Sequence, residues 1–446
     1  MMQKAWIVSV DMGYGHQRTA FPLRHLAFEG KVIQANHYSG IPERDKKIWQ
    51  YSKKFYEFVS RLKRIPLFGE TIFFTFDHFQ KIFAFYPKRD LSKPNFQLKQ
   101  IYSLIKKGWG RDLIKRLKTQ NSKLKTNLPI ISTFFTPAFM AEINNYPGEI
   151  FCVVCDADIA RTWAPLIPPK SKIKYFAPNQ RVVERLKLYG VKAENIFLTG
   201  YPLPKENMGT KNLEILKRDL SHRILNLDPQ KRYRKNYDLL IKKYVGQIPP
   251  KSNHPLTIMF AVGGAGAQKE IAIEILKSLK EKIEKKEVKI ILVAGIRKKV
   301  KDYLEEKIKK LGLEDYIVTP HNESTPPGYV DKGGEILFEK DTEGYFQSFN
   351  SALRKTDILW TKPSELSFYC ALGLPIIIAP PIGSQEDFNQ EWLLRLGAGL
   401  NQENPAYADQ WLFDLLDSGW FAEASLQGFI EGKKLGTFNI EKIISK

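Results

Sequence analysis

Cysteine is scarce in this chain, three residues in 446, too few for the disulfide framework that staples small secreted domains. Cys152 and Cys155 form a CxxC, but they lie in FCVVCD, which reads as a strand. Side chains three apart on a strand point to opposite faces, so the two sulfurs share neither a metal nor a bond, and both read as core. A run of 18 apolar residues is also missing, so no membrane-spanning helix is expected. The N-terminus lacks the charged-then-apolar layout of a secretory signal, because a strand pattern begins almost at once; cytosol is the expected compartment. Nothing repeats at a period of 20–50 residues, which argues against a solenoid.

Acidic residues are outnumbered, 48 Asp+Glu against 69 Lys+Arg, for a formal net charge of +21. Such a chain is drawn to phosphate-rich partners, whether nucleotide, anionic lipid or nucleic acid. The excess is local: residues 44–125 carry 21 Lys/Arg and 6 Asp/Glu. With roughly 150 residues per domain as the prior, the length suggests two or three domains, and 43% apolar content gives each a core.

Short β-rich runs alternate with helical patterns, the signature of βα units on parallel sheets. The first series is Ala5–Val10, Lys31–Ala35, Ile130–Thr133, Ile150–Val154, Lys174–Phe176 and Ile196–Thr199. The second is Leu256–Val262, Lys289–Ala294, Tyr316–Thr319, Asp357–Trp360 and Pro375–Ile378, finishing at Gly399. The expected organisation is therefore an N-terminal Rossmann-like domain over 1–204 and a helical insertion and linker over 205–250. A nucleotide-binding domain over 251–400 and a helical tail over 401–446, packing back across the domain junction, complete it. Residues 43–128 form an insertion in the first domain. Within it Ile48, Tyr51, Phe55, Phe58, Val59 and Leu62 recur at three and four residues beside Lys46, Lys47, Lys53, Lys54 and Arg61, predicting a basic amphipathic helix. The phenylalanine-rich run that follows it would suit either packing on the sheet or a peripheral membrane surface, where lysines meet anionic headgroups.

In an open parallel sheet, ligands bind beyond the carboxyl ends of the strands. Three loops are expected at such positions. In DMGYGH, Gly13 and Gly15 flank Tyr14 and let the backbone pass close to a ligand, and His16 opens the next helix. Gly263-Gly264-Ala265-Gly266 follows the first strand of the second series and suits a phosphate; it is neither a Walker loop nor a dinucleotide fingerprint. In LWTKPSELSFYCALGLPIIIAPPIGSQEDFN, Ser364 is a good N-cap for a helix Glu365–Leu372. Lys362 and Arg297 are candidate phosphate partners, Glu365 or Glu386 candidates for sugar hydroxyls, and Gln385 and Asn389 further polar contacts in the Gly383-Ser384 loop.

Taken together these residues resemble the GT-B glycosyltransferases related to monogalactosyldiacylglycerol synthases, processive diacylglycerol glucosyltransferases and peptidoglycan GlcNAc transferases. The likeness covers roughly residues 5–200 and 255–400. VVCDADIARTWAP, with Trp163, is similar to the family's strand, Asp and basic-Thr-Trp-x-Pro segment, and TK...ALGLPII...GSQEDFN to its nucleotide-sugar signature. The resemblance implies an α/β, GT-B architecture: two Rossmann-like parallel-sheet domains facing across a cleft. It matches His16 to the histidine of the family's N-terminal Gly-Gly-His loop and Gly263–Gly266 to the loop near the donor phosphates. It matches Gln385, Glu386 and Asn389 to sugar-side contacts. It further implies a UDP-sugar as co-substrate, a lipid hydroxyl as acceptor, inversion at the anomeric carbon, and no cofactor or required metal. The chain departs from the pattern in three places: Pro363-Ser-Glu-Leu replaces Gly-Pro-Gly-Thr-x-x-Glu, Ser384 separates Gly383 from Gln385, and Phe135 stands where relatives tend to carry histidine.

A transferase needs a base for the acceptor proton and charge neutralisation for the departing diphosphate. His16 is the first candidate for the base, since imidazole titrates near neutral pH. Asp156 is the second, as base or as the group orienting the histidine, and Asp156-Ala-Asp158 does not read as a metal-binding pair. The expected protein sits peripherally at the inner face of the cell membrane, held by an anionic lipid surface, with a lipid acceptor and no nucleic-acid partner. Two rivals are a UDP-sugar 2-epimerase on the same fold, against which the basic aromatic insertion speaks, and a non-catalytic binder of anionic lipid or nucleic acid, which leaves the Gly383–Asn389 loop without a purpose.

Overall fold

Runs of β-branched and aromatic residues too short for helices, set between Gly, Pro and Asn, become parallel strands here. The computed structural model describes residues 3–62, 82–261, 268–320, 328 and 332–445. The chain divides into two compact units, one of Met1–Pro202, Ile382–Asn389 and Leu435–Lys446, the other of Leu203–Pro381 and Gln390–Lys434.

The first unit holds β1 (Trp6–Ser9), β2 (Ile33–Gln34), β3 (Ile130–Ser132), β4 (Ile150–Val153), β5 (Lys174–Ala177) and β6 (Ile196–Leu198). Their order is β2-β1-β3-β4-β5-β6, parallel at every pairing. The chain steps from β1 to β2 on one side and returns to β3 on the other, so a topological switch point lies between β1 and β3. Ala5, Ile7, Ile131, Phe151, Val153 and Phe176 fill one face of this sheet with Leu23 and Leu26, and Ile440 and Ile444 of the last helix, Gly436–Ile444, join them. Each Val, Leu, Ile or Phe side chain among them contributes about 1.5–3 kcal/mol when fully buried.

The second unit holds β7 (Leu256–Ala261), β8 (Val288–Gly295), β9 (Ile317–Val318), β10 (Gly334–Phe338), β11 (Ile358–Thr361), β12 (Ile376–Ile378) and β13 (Gly399–Asn401). The order is β13-β12-β11-β7-β8-β10-β9, again parallel. Its switch point lies between β7 and β11. The α/β class and the two Rossmann-like parallel sheets are thus as expected, with one strand more than the pattern predicts: β10, GEILF, enters between β8 and β9. The helices Glu214–Leu227 and Arg232–Tyr244 belong to this unit, where Leu216, Leu220, Ile224 and Leu227 are buried. Their apolar side chains are part of its core.

The amphipathic helix exists as Glu43–Leu62, but its inward face differs from the expected stripe. Trp49 is buried against Trp109 with ring centroids 4.8 Å apart, whereas Tyr51 is 72% exposed. The side chains of Phe55, Phe58, Val59 and Leu62, like residues 63–81, lie outside the described residues. The returning segment is anchored by Arg161, which donates to the Ser92 carbonyl from Nε at 3.0 Å and Nη2 at 2.7 Å, and by Arg181, stacked 4.0 Å over the Phe85 ring. Among the described residues no helix is long and apolar enough to cross a membrane.

Candidate active site

The loop after β1 is held by one side chain. Asn36, just beyond β2, accepts the Asp11 N–H at 2.9 Å and donates to the Asp11 carbonyl at 3.0 Å. Gly13 then takes φ +99 with open space around the position of a Cβ; the backbone angle, not crowding, is what requires glycine there. The turn delivers the short helix Tyr14–Ala20, with His16 in its first turn.

His16 Nδ1 donates to the Thr133 carbonyl at 2.9 Å, and Thr133 Oγ1 returns a bond to the His16 carbonyl at 2.9 Å. A carbonyl can only accept, so Nδ1 carries the proton and the lone pair of the neutral ring lies on Nε2. Phe134 packs on the imidazole with centroids 4.7 Å apart and Trp163 stands at 6.3 Å. The histidine therefore joins the loops that follow β1 and β3, the two strands that border the switch point of the first sheet.

β4 ends at Val153, so Cys155 lies in the loop beyond it, where the sequence pattern predicted a strand. It is buried with its Sγ 3.5 Å from His16 Nδ1. The next residue, the half-buried Asp156, accepts from Asn389 Nδ2 at 3.3 Å. Nδ1 of the histidine is thus oriented by the Thr133 carbonyl. Asp158 has a different fate from Asp156: Arg185 meets it with two bonds of 2.8 Å, Nε to Oδ1 and Nη2 to Oδ2, in a buried fork-to-fork pair. That pairing occupies both oxygens of Asp158 and makes it structural. Among the described residues no group of three or more His, Cys, Asp or Glu could hold a metal ion.

In the Gly383–Asn389 segment, the Glu386 N–H bonds to the Gly383 carbonyl at 3.0 Å and its Oε2 accepts the Ile382 N–H at 2.7 Å. Glu386 and Asn389 are both buried and Gln385 is half-buried; the side chain of Ser384 lies outside the described residues. In the second unit, Lys362, Ser364 and Glu365 follow β11 at that sheet's switch point. Ser364 takes the cap position of a 3₁₀ helix, Glu365–Leu372, but makes no side-chain capping bond, unlike the expected N-cap. Its backbone N–H bonds instead to the Lys362 carbonyl at 2.9 Å. Gly263, Gly264, Ala265 and Gly266 lie outside the described residues; just beyond them, Gln268 donates to the Pro380 carbonyl at 2.7 Å.

Thr133 and Cys155, which meet the histidine in the structure, do not stand out in the sequence as site residues. The signal available was slight: a Ser-Thr pair at the end of β3, and a second cysteine placed next to Asp156.

A family model described as a domain of unknown function (DUF6938) matches residues 249–399. Among curated proteins none matches this chain. Solved structures with a similar fold include MurG of Acinetobacter baumannii, with 13% identity, 74% of this chain and 76% of that chain covered, and a TM-score of 0.40. A glycosyltransferase of Rickettsia africae ESF-5 has 14% identity, 99% of each chain covered and a TM-score of 0.41. The UDP-GlcNAc 2-epimerase of Neisseria meningitidis bound to UDP-GlcNAc has 10% identity, 80% of this chain and 84% of that chain covered, and a TM-score of 0.43. Likenesses of this degree assign neither reaction to this chain.

Proposed function

We propose that the protein is a glycosyltransferase that moves a sugar, with inversion, from a UDP-sugar to the hydroxyl of a diacylglycerol-like lipid or glycan, as a peripheral protein on the inner face of the cell membrane. The observation that carries this reading is the tautomer of His16. Its Nδ1–H is spent on Thr133, so Nε2 is the basic nitrogen, at the edge where parallel sheets bind ligands. In the proposed step the acceptor oxygen attacks the anomeric carbon and its proton passes to Nε2. The bond from that carbon to the diphosphate breaks, and its electron pair leaves with UDP. Asp156, three residues beyond the end of β4, supplies a carboxylate at the same edge, and Gly13, Tyr14, Gly15 and Trp163 are the acceptor-side surroundings. In the second unit, Lys362 and the loops after β7 and β11 are the groups for the donor's phosphates, with no metal required.

The lipid part of the proposal is supported by the surface of the basic insertion, where Tyr51, Tyr86 and Phe96 are exposed among the lysines of residues 44–125. Amphipathic aromatics beside lysines suit a headgroup layer. The reading is tested by incubating the purified protein with a panel of radiolabelled UDP-sugars and a total lipid extract. Label should enter the organic phase from at least one donor. Recovery of an epimerised UDP-sugar with no labelled lipid or glycan would assign the 2-epimerase reaction instead.

A further inference from the structure

Asn389 belongs to the first unit through the segment Ile382–Asn389, and its side chain is 0% exposed. Its Oδ1 accepts the Ala157 backbone N–H at 2.7 Å. Only the oxygen of an amide can accept from a backbone N–H, so this short bond fixes which way the amide is turned. The NH2 group therefore faces Asp156, whose Oδ1 takes it at 3.3 Å, at the long end of the hydrogen-bond range. The Ala157 carbonyl is held from its other side by Asn179 Nδ2 at 3.0 Å, and Asn179 Oδ1 in turn accepts from Val182 N at 2.9 Å, capping the helix Gln180–Leu188.

We infer that Asn389 is a positioning residue for Asp156: it donates to the carboxylate and locks the peptide that follows it, facing inward where a sugar contact was expected. An amide is suited to both tasks at once. Aspartate offers no donor for the carboxylate, lysine no acceptor for the N–H, and glutamine adds a methylene to a fully buried site. The Asp156 carboxylate is thereby held at two points, at its own oxygen and through the next residue's backbone, and both holds come from a residue 233 positions away in sequence. The inference rests on the proposed transferase for its consequence, that Asp156 works in sugar transfer, and not for the pairing itself.

The test is a swap of the two side chains, read by thermal melting and by kinetics. Asn389→Asp sets a second carboxylate against Asp156 and should lower the Tm by about 2–4 °C or more. Adding Asp156→Asn restores a carboxylate–amide pair of reversed polarity, and the double variant should return to within about 1 °C of Asp156→Asn alone. In the transfer assay, Asn389→Asp and the smaller Asn389→Ser should each lower kcat about tenfold or more, with the KM for the UDP-sugar within about twofold of wild type. A double variant no more stable than Asn389→Asp overturns the pairing, and wild-type kcat in folded Asn389→Asp and Asn389→Ser overturns the positioning role. If Asn389→Asp does not fold, recovery of a folded protein by the swap supports the pairing and failure to recover overturns it. If the wild type transfers no sugar, the transferase reading fails while the melting cycle still decides whether Asn389 and Asp156 act as a pair.

Discussion

At the scale of single residues, the same group type serves opposite ends depending on what surrounds it. Asp158 is consumed by Arg185, whereas Asp156, two positions earlier, is held by a neutral amide. Lys434 is a further case: burial holds its ammonium well below the ordinary 10.5, at about 8, while its Nζ donates to the Gly432 carbonyl at 3.1 Å and stands over the Phe429 ring. A lysine with a depressed folded value binds fewer protons than the unfolded chain between pH 8 and 10.5, so its cost is fully present below about pH 8 and fades as pH rises through that window. Lys434→Met should accordingly be about 1 kcal/mol more stable than wild type at pH 7, after allowing for solvent that still reaches the side chain, and the difference should vanish near pH 10.5. Denaturant melts across that range measure it; equal stability at pH 7 would contradict the assignment. The sequence made His16, Asp156 and Asn389 visible as polar residues at strand or helix ends. It hid Thr133 and Cys155, which reach the histidine from 117 and 139 positions away, because no periodicity reports where a strand stops.

At the scale of elements, strand-by-strand reading worked wherever a run was apolar throughout and failed at β10. That strand carries Glu335, fully buried, its carboxyl raised by burial, an effect Lys289 on β8 only partly offsets. A charge inside a five-residue run conceals a strand from any search for apolar runs, and the partner that makes it tolerable lies on another strand. The helix Glu43–Leu62 shows the converse, since its period was legible but its buried face was not: Trp49 found Trp109, just beyond the helix Phe96–Lys106. The last helix depends on one glycine. A Cβ on Gly436 would lie 2.1 Å from the Tyr201 carbonyl oxygen, so no side chain fits without moving backbone. Gly436→Val should therefore lower stability by at least about 2 kcal/mol and loosen Ile440 and Ile444 from the sheet. A lower Tm with faster proteolysis after residue 435 is the expected result, and an unchanged melt would show that the helix contributes little.

At the scale of the whole molecule, charge is the property to explain. Residues 44–125 hold 21 Lys/Arg against 6 Asp/Glu in a chain of net charge +21, and exposed aromatics share that segment. With each Lys/Arg near an anionic surface contributing on the order of 1 kcal/mol, a handful suffices for reversible attachment. Vesicle binding should rise with anionic lipid content and fall between about 0.05 and 0.5 M salt as the Debye length shortens; equal sedimentation with neutral vesicles would remove the basic segment as the anchor. The central claim is chemical and belongs to His16, whose Nδ1 is committed to Thr133. Its most direct test is His16→Ala, assayed for sugar transfer and, in the same preparation, for UDP binding by calorimetry. The account predicts transfer reduced by about 10²–10⁴ with UDP affinity within about twofold of wild type. Full transfer activity in that variant would contradict it.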